Sequence, residues 1–199
     1  MAECKLSSTP MENRLNLFIK GEEKLRTKQS YRELIGCLMY ASLTTRPDLT
    51  ASVNFFSQFQ SCPTDEHWTH LKRILRYVKD SMDAKLVYYR NGGKVLEIYT
   101  DADWANNVVD RRSVSGSVFK VFGSTVAWIT RKQHTVALSS TEAELTALCV
   151  VVCHGLWMQR LLRDLDCKTD APVTYYEDNQ STIRIAEDSK DFGRLNMSM

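Results

Sequence analysis

The feature that most constrains the fold is a long helical pattern over residues 139–165, placed between segments that have the composition of strands. The strand-like segments before it are residues 95–101, 113–122 and 124–132, and the one after it is residues 173–178. A crossover helix joins parallel neighbouring strands, whereas short turns join antiparallel ones. The order therefore predicts an α/β unit, in which a three-stranded antiparallel meander is followed by a crossover to a parallel strand.

The chain before this unit has a different sequence pattern. Residues 31–84 show three helical patterns separated by proline-containing breaks, and we expect a helical segment there. Residues 1–30 are polar and weakly periodic, which predicts a loosely ordered lead-in. The sheet-and-helix unit then takes residues 85–199. A further strand is predicted at residues 85–90, because the turn signal Asn91-Gly92-Gly93 follows it.

Composition restricts the class of protein. Hydrophobic residues make up 43% of the 199 residues and charged residues 25%, which is enough apolar material for a core and does not indicate disorder. The net charge of +2 gives no global signal for a nucleic-acid partner, so any basic surface must be local. Apolar runs such as residues 145–152 are too short to span a bilayer, which predicts no membrane association.

The six cysteines form no CxxC pair, and the first ten residues lack the apolar core of a secretory signal. Reduced thiols are typical of the intracellular compartments. We therefore expect a cytoplasmic protein.

Three acids far apart in the sequence occupy corresponding places. Asp101 ends the first strand of the predicted meander, Asp178 ends the strand after the crossover, and Glu144 lies in the first turns of the crossover helix. If the two strands are parallel neighbours, both aspartates emerge at the same edge of the sheet. Three converging carboxylates raise at least one pKa unless a cation neutralises them, and Mg²⁺ prefers such oxygen ligands. Two ions about 4 Å apart are suited to phosphodiester hydrolysis.

Each acid also has a local interpretation, which the spacing alone leaves open. Asp101 can form a turn through its own backbone. Glu144 can close a capping box with Thr141, as Glu142 can with Ser139. The pair Asp178-Asn179 can cap the helix predicted to follow.

A basic stripe lies on the third helical pattern of the N-terminal segment. It consists of Lys72, Arg73, Arg76 and Lys79. Such a stripe is the expected footprint of a nucleic-acid duplex bound through its phosphates. The alternative is a solvated helix face.

Several segments, read in order, resemble the ribonuclease H domain of copia-type LTR-retrotransposon Pol polyproteins. The matching segments are YTDADWA, DRRSVSGSVF, VAWITRKQHTVALSSTEAEL and YYEDNQSTIRIA. The upstream segments YRELIGCLMYASLTTRPDL and HWTHLKRILRYVKD are similar to the connection between the reverse-transcriptase palm and ribonuclease H in the same polyproteins. The resemblance extends to about Ala186.

The resemblance implies a ribonuclease H-like mixed sheet with flanking helices, and cleavage of RNA in RNA–DNA hybrids with two Mg²⁺ (or Mn²⁺) ions. By position, the family's catalytic and metal-binding acids match Asp101, Glu144 and Asp178. The nearby acids Asp103 and Glu177 are then neighbours rather than ligands, as is Glu142. The implied partners are an RNA–DNA hybrid and, if expressed together, the reverse-transcriptase palm of the polyprotein. The resemblance adds a virus-like particle or the nucleus as alternative locations to the cytoplasm.

The C-terminal end departs from the family pattern. The family continues with a His-x-Arg-x-Lys-His-Ile-Asp segment that carries a fourth acid and leads into the fifth strand, whereas this chain reads DSKDFGRLNMSM. Asp188 and Asp191 do not match the fourth acid. The comparison predicts a C-terminally incomplete unit that lacks its last strand, with weak or absent nuclease activity. The alternatives are a non-catalytic remnant that at most binds nucleic acid, and another nuclease or integrase of the same fold.

Overall fold

The computed structural model describes residues 4–12, 15, 28–90, 92–105, 110–167, 172–188 and 196–198. The chain divides into two compact units, Met1–Leu86 and Val87–Met199, each of which is described separately. The division lies two residues beyond the boundary expected at residues 84 and 85. Most of the predicted lead-in falls outside the described residues, and its last three residues already belong to a helix.

The first unit is helical. Its elements are α1 (Lys28–Thr44), a short 3₁₀ helix (Pro47–Leu49), α2 (Thr50–Ser57) and α3 (Asp65–Asp80). Helix α1 stops just before Arg46-Pro47, because proline disfavours helical backbone at the residue before it. The core is one cluster of buried residues: Tyr31, Ile35, Leu38, Leu49, Val53, Phe56, Phe59, Leu71 and Ile74.

The contacts at the start of α3 determine which face of the helix is buried. The Thr64 side chain accepts from the His67 backbone N–H, and the His67 ring accepts from the Thr64 backbone N–H, which together form a capping box. The His67 ring is fully buried and stacks on Phe59 with a centroid distance of 4.0 Å. The buried face is therefore His67, Leu71 and Ile74, whereas Trp68 is only partly buried.

In its described residues, the second unit contains a mixed sheet and two helices. Its elements are β1 (Leu96–Asp103), β2 (Val114–Val121), β3 (Ser124–Lys132), α4 (Ser140–Asp164), β4 (Thr174–Tyr176), α5 (Gln180–Asp188) and β5 (Asn196–Ser198). The strand order is β3-β2-β1-β4-β5. Strands β1, β2 and β3 form the antiparallel meander, and β4 pairs parallel to β1. The predicted α/β class, with a mixed sheet and flanking helices, is confirmed.

Two predictions about strands are wrong. Residues 85–90 do not form a strand, and Val87, Tyr88 and Tyr89 expose 49%, 62% and 61% of their surface. A strand is stabilised by burying one of its faces. This segment leaves side chains of both faces exposed, so that stabilisation is missing. Conversely, the last strand is not missing, because Asn196–Ser198 pairs parallel to β4 over three residues.

The core of the second unit lies between the sheet and α4. Alternate residues of β1 point toward the helix, so Leu96 and Ile98 are buried, whereas Asp101 on the opposite face is exposed. The core cluster comprises Leu96, Ile98, Phe119, Leu148, Val151, Met158, Leu162, Val173 and Tyr175. By length and composition α4 could also cross a membrane. One face of α4 packs on the sheet as part of the core, and the absence of membrane association stays a prediction.

Gly155 allows the closest approach of α4 to the sheet. A Cβ atom at this position would overlap the Tyr175 hydroxyl and the end of Ile98. Both neighbours are buried to within 1% of their surface, so neither can move aside without disturbing the core. The helix therefore needs a glycine where it crosses β1 and β4.

We expect Gly155→Ala to lower the free energy of unfolding by about 1–3 kcal/mol, because overpacking outweighs the higher helix propensity of alanine. The matched control is Gly36→Ala in α1, where a Cβ would meet nothing within 4 Å. There the propensity acts alone, and a gain of about 0.5–1 kcal/mol is expected. Urea unfolding of both variants measures the difference, and a stabilising Gly155→Ala would contradict the packing argument.

Candidate metal centre

The parallel pairing of β1 with β4 brings two aspartates to one edge of the sheet. Tyr99 is paired with Tyr176, so Asp101 and Asp178 each lie two residues beyond a paired position. In a strand, residues two apart share a face, which places both carboxylates on the side opposite α4. Both aspartates are exposed.

Glu144 reaches the same edge from the first turns of α4. Ser139 is the N-cap of this helix, and its side chain accepts from the Glu142 backbone N–H. The helix then packs on the sheet through Ala143 and Ala147, two small buried residues that let its first turns approach β1 closely. Glu144 is thereby buried to 5% exposure, and the backbone N–H of Ala102 in β1 donates to its carboxylate.

The three predicted acids converge. One carboxylate oxygen from each of Asp101, Glu144 and Asp178 lies within 4.8 Å of the other two. The structure therefore brings these side chains together as expected, and their role as metal ligands stays a prediction. Asp188 does not belong to this group, and Asp191 falls outside the described residues.

A fourth acid, Glu177, is buried beside the group. It is 4% exposed, and one of its oxygens accepts from the Asn179 backbone N–H at 3.1 Å. Sequence reasoning ranked Glu177 as a neighbour without foreseeing its burial. The signal was present, because Val173, Tyr175 and Glu177 alternate along one face, and all three are buried.

The electrostatics of the cluster disfavour four ionised acids. Burial raises the pKa of Glu144 to about 7, and the charges of Glu177, Asp101 and Asp178 act in the same direction. Burial also raises the pKa of Glu177, although the backbone N–H groups of Asn179 and Asp178 oppose this. Without a cation, Glu144 therefore keeps its proton to a higher pH than an ordinary glutamate does.

The donor set suits a small divalent cation. Oε2 of Glu144 and Oε2 of Glu177 are both buried without a hydrogen-bond partner among the described residues. Buried, unpartnered carboxylate oxygens are costly unless a proton or a cation compensates them. Carboxylate oxygens are the ligands that Mg²⁺ prefers, and Mg²⁺ sites use one or two carboxylates while the ion keeps several waters. The residues present therefore fit Mg²⁺.

A cleft of about 440 Å³ opens beside the cluster. It is lined by Tyr99, Thr100, Asp101, Tyr176, Glu177, Asp178 and Gln180. Tyr99 and Tyr176 stack with a centroid distance of 4.4 Å and form an aromatic wall next to the carboxylates. A ligand bound in the cleft would lie directly against the acids.

The hydrogen bonds at the helix starts show which acids cap a helix and which are left for the candidate metal site. Glu142 belongs to the cap of α4, because its carboxylate accepts from the Leu138 backbone N–H at 2.7 Å. At the start of α5, the Asn179 side chain accepts from the backbone N–H groups of Ser181 and Thr182, both at 3.0 Å. Capping is thus carried out by Ser139, Glu142 and Asn179, and neither Glu144 nor Asp178 is needed for it.

The basic stripe on α3 is partly engaged within its own unit. The Arg73 guanidinium pairs with Glu12 at 2.8 Å, and the Lys72 ammonium lies 5.7 Å from the centre of the Trp68 ring. Nε of Arg76 is buried, and Lys79 is half-buried. Arg73 is therefore occupied by a carboxylate, and a nucleic-acid role for the stripe stays a prediction.

Retrovirus-related Pol polyproteins of plant transposons are similar to nearly the whole chain. The chain is 35% identical over 179 residues to that of transposon RE2 from Arabidopsis thaliana, which covers 90% of the chain and 12% of the polyprotein. It is 35% identical over 197 residues to that of transposon TNT 1-94 from Nicotiana tabacum, covering 95% and 14%. No protein-family model matches the chain.

A shorter relative is the secreted RxLR effector protein 161 of Plasmopara viticola. It is 46% identical over 128 residues, which make up 64% of this chain and 90% of that protein. The polyprotein matches show that the chain belongs to the family of copia-type retrovirus-related Pol polyproteins. The chain corresponds to a small part of the length of the transposon polyproteins it matches.

The raised pKa of Glu144 predicts how stability depends on pH in the absence of divalent cations. Its pKa of about 7 in the folded protein lies above the ordinary 4.5, so the folded state binds more protons between these values. Stability therefore falls as the pH rises from about 4.5 to about 7. Glu144→Gln removes this loss, and should exceed the wild type by on the order of 1–3 kcal/mol at pH 8 and by far less at pH 4.

Urea unfolding in a chelating buffer at the two pH values measures this difference. Equal stability differences at pH 4 and pH 8 would show that Glu144 is not the group responsible.

Proposed function

We propose that the second unit is a ribonuclease H-like nuclease domain that cleaves the RNA strand of RNA–DNA hybrids with the help of divalent cations. The observation that supports this most is the convergence of Asp101, Glu144 and Asp178 within 4.8 Å. These are the residues that match the family's catalytic acids by position. The strand order, with β4 parallel to β1 beside an antiparallel meander, is compatible with that fold.

In this proposal the carboxylates of Asp101, Glu144 and Asp178 hold Mg²⁺. Bound Mg²⁺ supplies a Lewis acid for the phosphate and a route to a nucleophilic water at neutral pH. The chain itself contributes the position and the charge of the three carboxylates. Burial of Glu144 limits the water around one side of the site, and the exposed Asp101 and Asp178 leave the other side open to a phosphodiester.

Two stacked tyrosines form one wall of the cleft. Tyr99 and Tyr176 line the cleft on the same face of the sheet as Asp101 and Asp178, so a strand bound in the cleft would contact both the rings and the acids. The hydroxyl of Tyr176 donates to Glu97 at 3.0 Å, which fixes that ring. A rigid wall of this kind orients a bound strand without reading its sequence.

A second candidate function is a non-catalytic remnant of the polyprotein. The number of acids favours it. The group that could hold a metal contains three acids among the described residues, whereas the family pattern has a fourth. Glu177 is close to the group, but one of its oxygens is already held by the Asn179 backbone. We therefore expect slow hybrid cleavage or none, with cation binding retained.

Calorimetric titration with Mg²⁺ tests the metal centre directly. The wild type is expected to bind, and Glu144→Gln is expected to lose the site, because it removes a buried charged ligand. The matched control is Glu142→Gln, an exposed acid on the same turn of α4, which should bind as the wild type does. Wild-type protein that binds no Mg²⁺ would overturn the proposal.

Cleavage is tested separately with a labelled RNA–DNA hybrid in Mg²⁺ and in Mn²⁺. Any turnover should be at least 100-fold lower in Asp101→Asn, because removing one charged ligand weakens the electrostatic stabilisation of the transition state. Cation binding without turnover would support the non-catalytic alternative. Turnover that survives in Asp101→Asn would show that a contaminating nuclease or another site is responsible.

A further inference from the structure

Gln133, the residue that follows β3, lies buried between the sheet and α4. It is 6% exposed, and its backbone N–H donates to the Ser113 carbonyl at 2.8 Å. Its side-chain Nε2 donates to Ser115 Oγ at 2.9 Å and to the Ala143 carbonyl at 2.8 Å. One side chain thus ties β2 to the residue that directly precedes Glu144.

Thr182 holds the same part of α4 from the other side. It lies in α5 and is fully buried, and its hydroxyl donates to the Thr141 carbonyl at 3.3 Å. Its backbone N–H is held by the Asn179 cap, which fixes the start of α5 relative to Asp178. The first turns of α4 are therefore held from the sheet and from α5 by two buried polar side chains.

Attachment of α4 to the sheet does not require these polar contacts. Farther along, the helix packs through apolar residues such as Val151 and Met158. Gln133 also brings a disadvantage, because its Oε1 is buried without a partner among the described residues. A buried acceptor without a partner destabilises a fold, and an apolar side chain of the same length would avoid that penalty. Stability alone therefore does not explain a glutamine here.

We infer that Gln133 and Thr182 are positioning residues, which hold the first turns of α4 so that the Glu144 carboxylate meets Asp101 and Asp178 around a divalent cation. The inference rests on the metal centre of the proposed function. It adds two residues to that centre which touch neither the cation nor the substrate. Residues that orient metal ligands typically change metal affinity by about 10–100-fold when they are replaced.

The test measures Mg²⁺ affinity by calorimetry and, in parallel, the urea midpoint of the metal-free protein. Gln133→Met keeps the length of the side chain and removes both donated hydrogen bonds, so we expect Mg²⁺ affinity to fall by about 10–100-fold. The urea midpoint should change little, because the unpartnered Oε1 is removed at the same time. A purely structural role predicts the opposite pattern, with a lower midpoint and unchanged affinity.

The matched control is Ser124→Ala, at the far end of the same strand. Ser124 is buried, and its hydroxyl accepts from the Tyr89 backbone N–H at 2.8 Å, so the variant loses a buried hydrogen bond away from the acids. Its Mg²⁺ affinity should equal that of the wild type. If Ser124→Ala weakens binding as much as Gln133→Met does, the inference is overturned.

Thr182 supplies an independent pair of variants in case Gln133→Met does not fold. Thr182→Val removes the hydroxyl with little change of shape and should weaken Mg²⁺ binding, whereas Thr182→Ser keeps the hydroxyl and should restore it. Equal affinity of the two Thr182 variants and the wild type would overturn the role of Thr182. Wild-type affinity in a folded Gln133→Met would overturn that of Gln133, while a wild type without Mg²⁺ binding would overturn the metal centre itself.

Discussion

The parallel pairing of β1 with β4 is the interaction on which the candidate site depends. It covers only three residues of each strand, so its register is set by few hydrogen bonds. Packing of α4 against both strands reinforces it, and Gly155 lets the helix approach close enough to contact Ile98 and Tyr175. A shift of one residue in this pairing would move Asp178 to the other face of the sheet, away from Asp101.

The site also shows a conflict between folding and electrostatics. The alternation of β4 and the packing of α4 carry Glu177 and Glu144 into the interior, where ionised carboxylates are poorly solvated. Neither residue has a positively charged side chain paired with it among the described residues. A fold that buries acids in this way is stable when either protons or a cation compensate their charge. Which of the two compensates it depends on the pH and on the cation concentration around the protein.

Much of this arrangement could be predicted from the sequence, because it follows local rules. Strand alternation, the turn chemistry and the long apolar helix specify β1 to β4 and α4, and the strand ends specify Asp101 and Asp178. The capping motifs also depend on local sequence, since Ser139 and Asn179 lie immediately before the first residues of their helices.

Features that depend on distant partners could not be predicted in the same way. Residues 85–90 are rich in apolar and aromatic residues, as strands often are, but they form no strand and leave Val87, Tyr88 and Tyr89 exposed. The three residues of β5 carry little pattern of their own and are defined by the edge that β4 offers. Gln133 has no signal at all in the sequence, because its partners Ser115 and Ala143 come from two other elements.

At the starts of α4 and α5, the residues that cap the helix differ from the residues of the candidate site. This separation affects how the domain can change by mutation. Glu142 and Asn179 hold the helices, while their neighbours Glu144 and Asp178 are left to the site. Mutational loss of the site acids would therefore leave both helix ends intact. A descendant of this chain could stay folded after losing the candidate metal ligands, and its architecture would then be an unreliable guide to whether the site is intact.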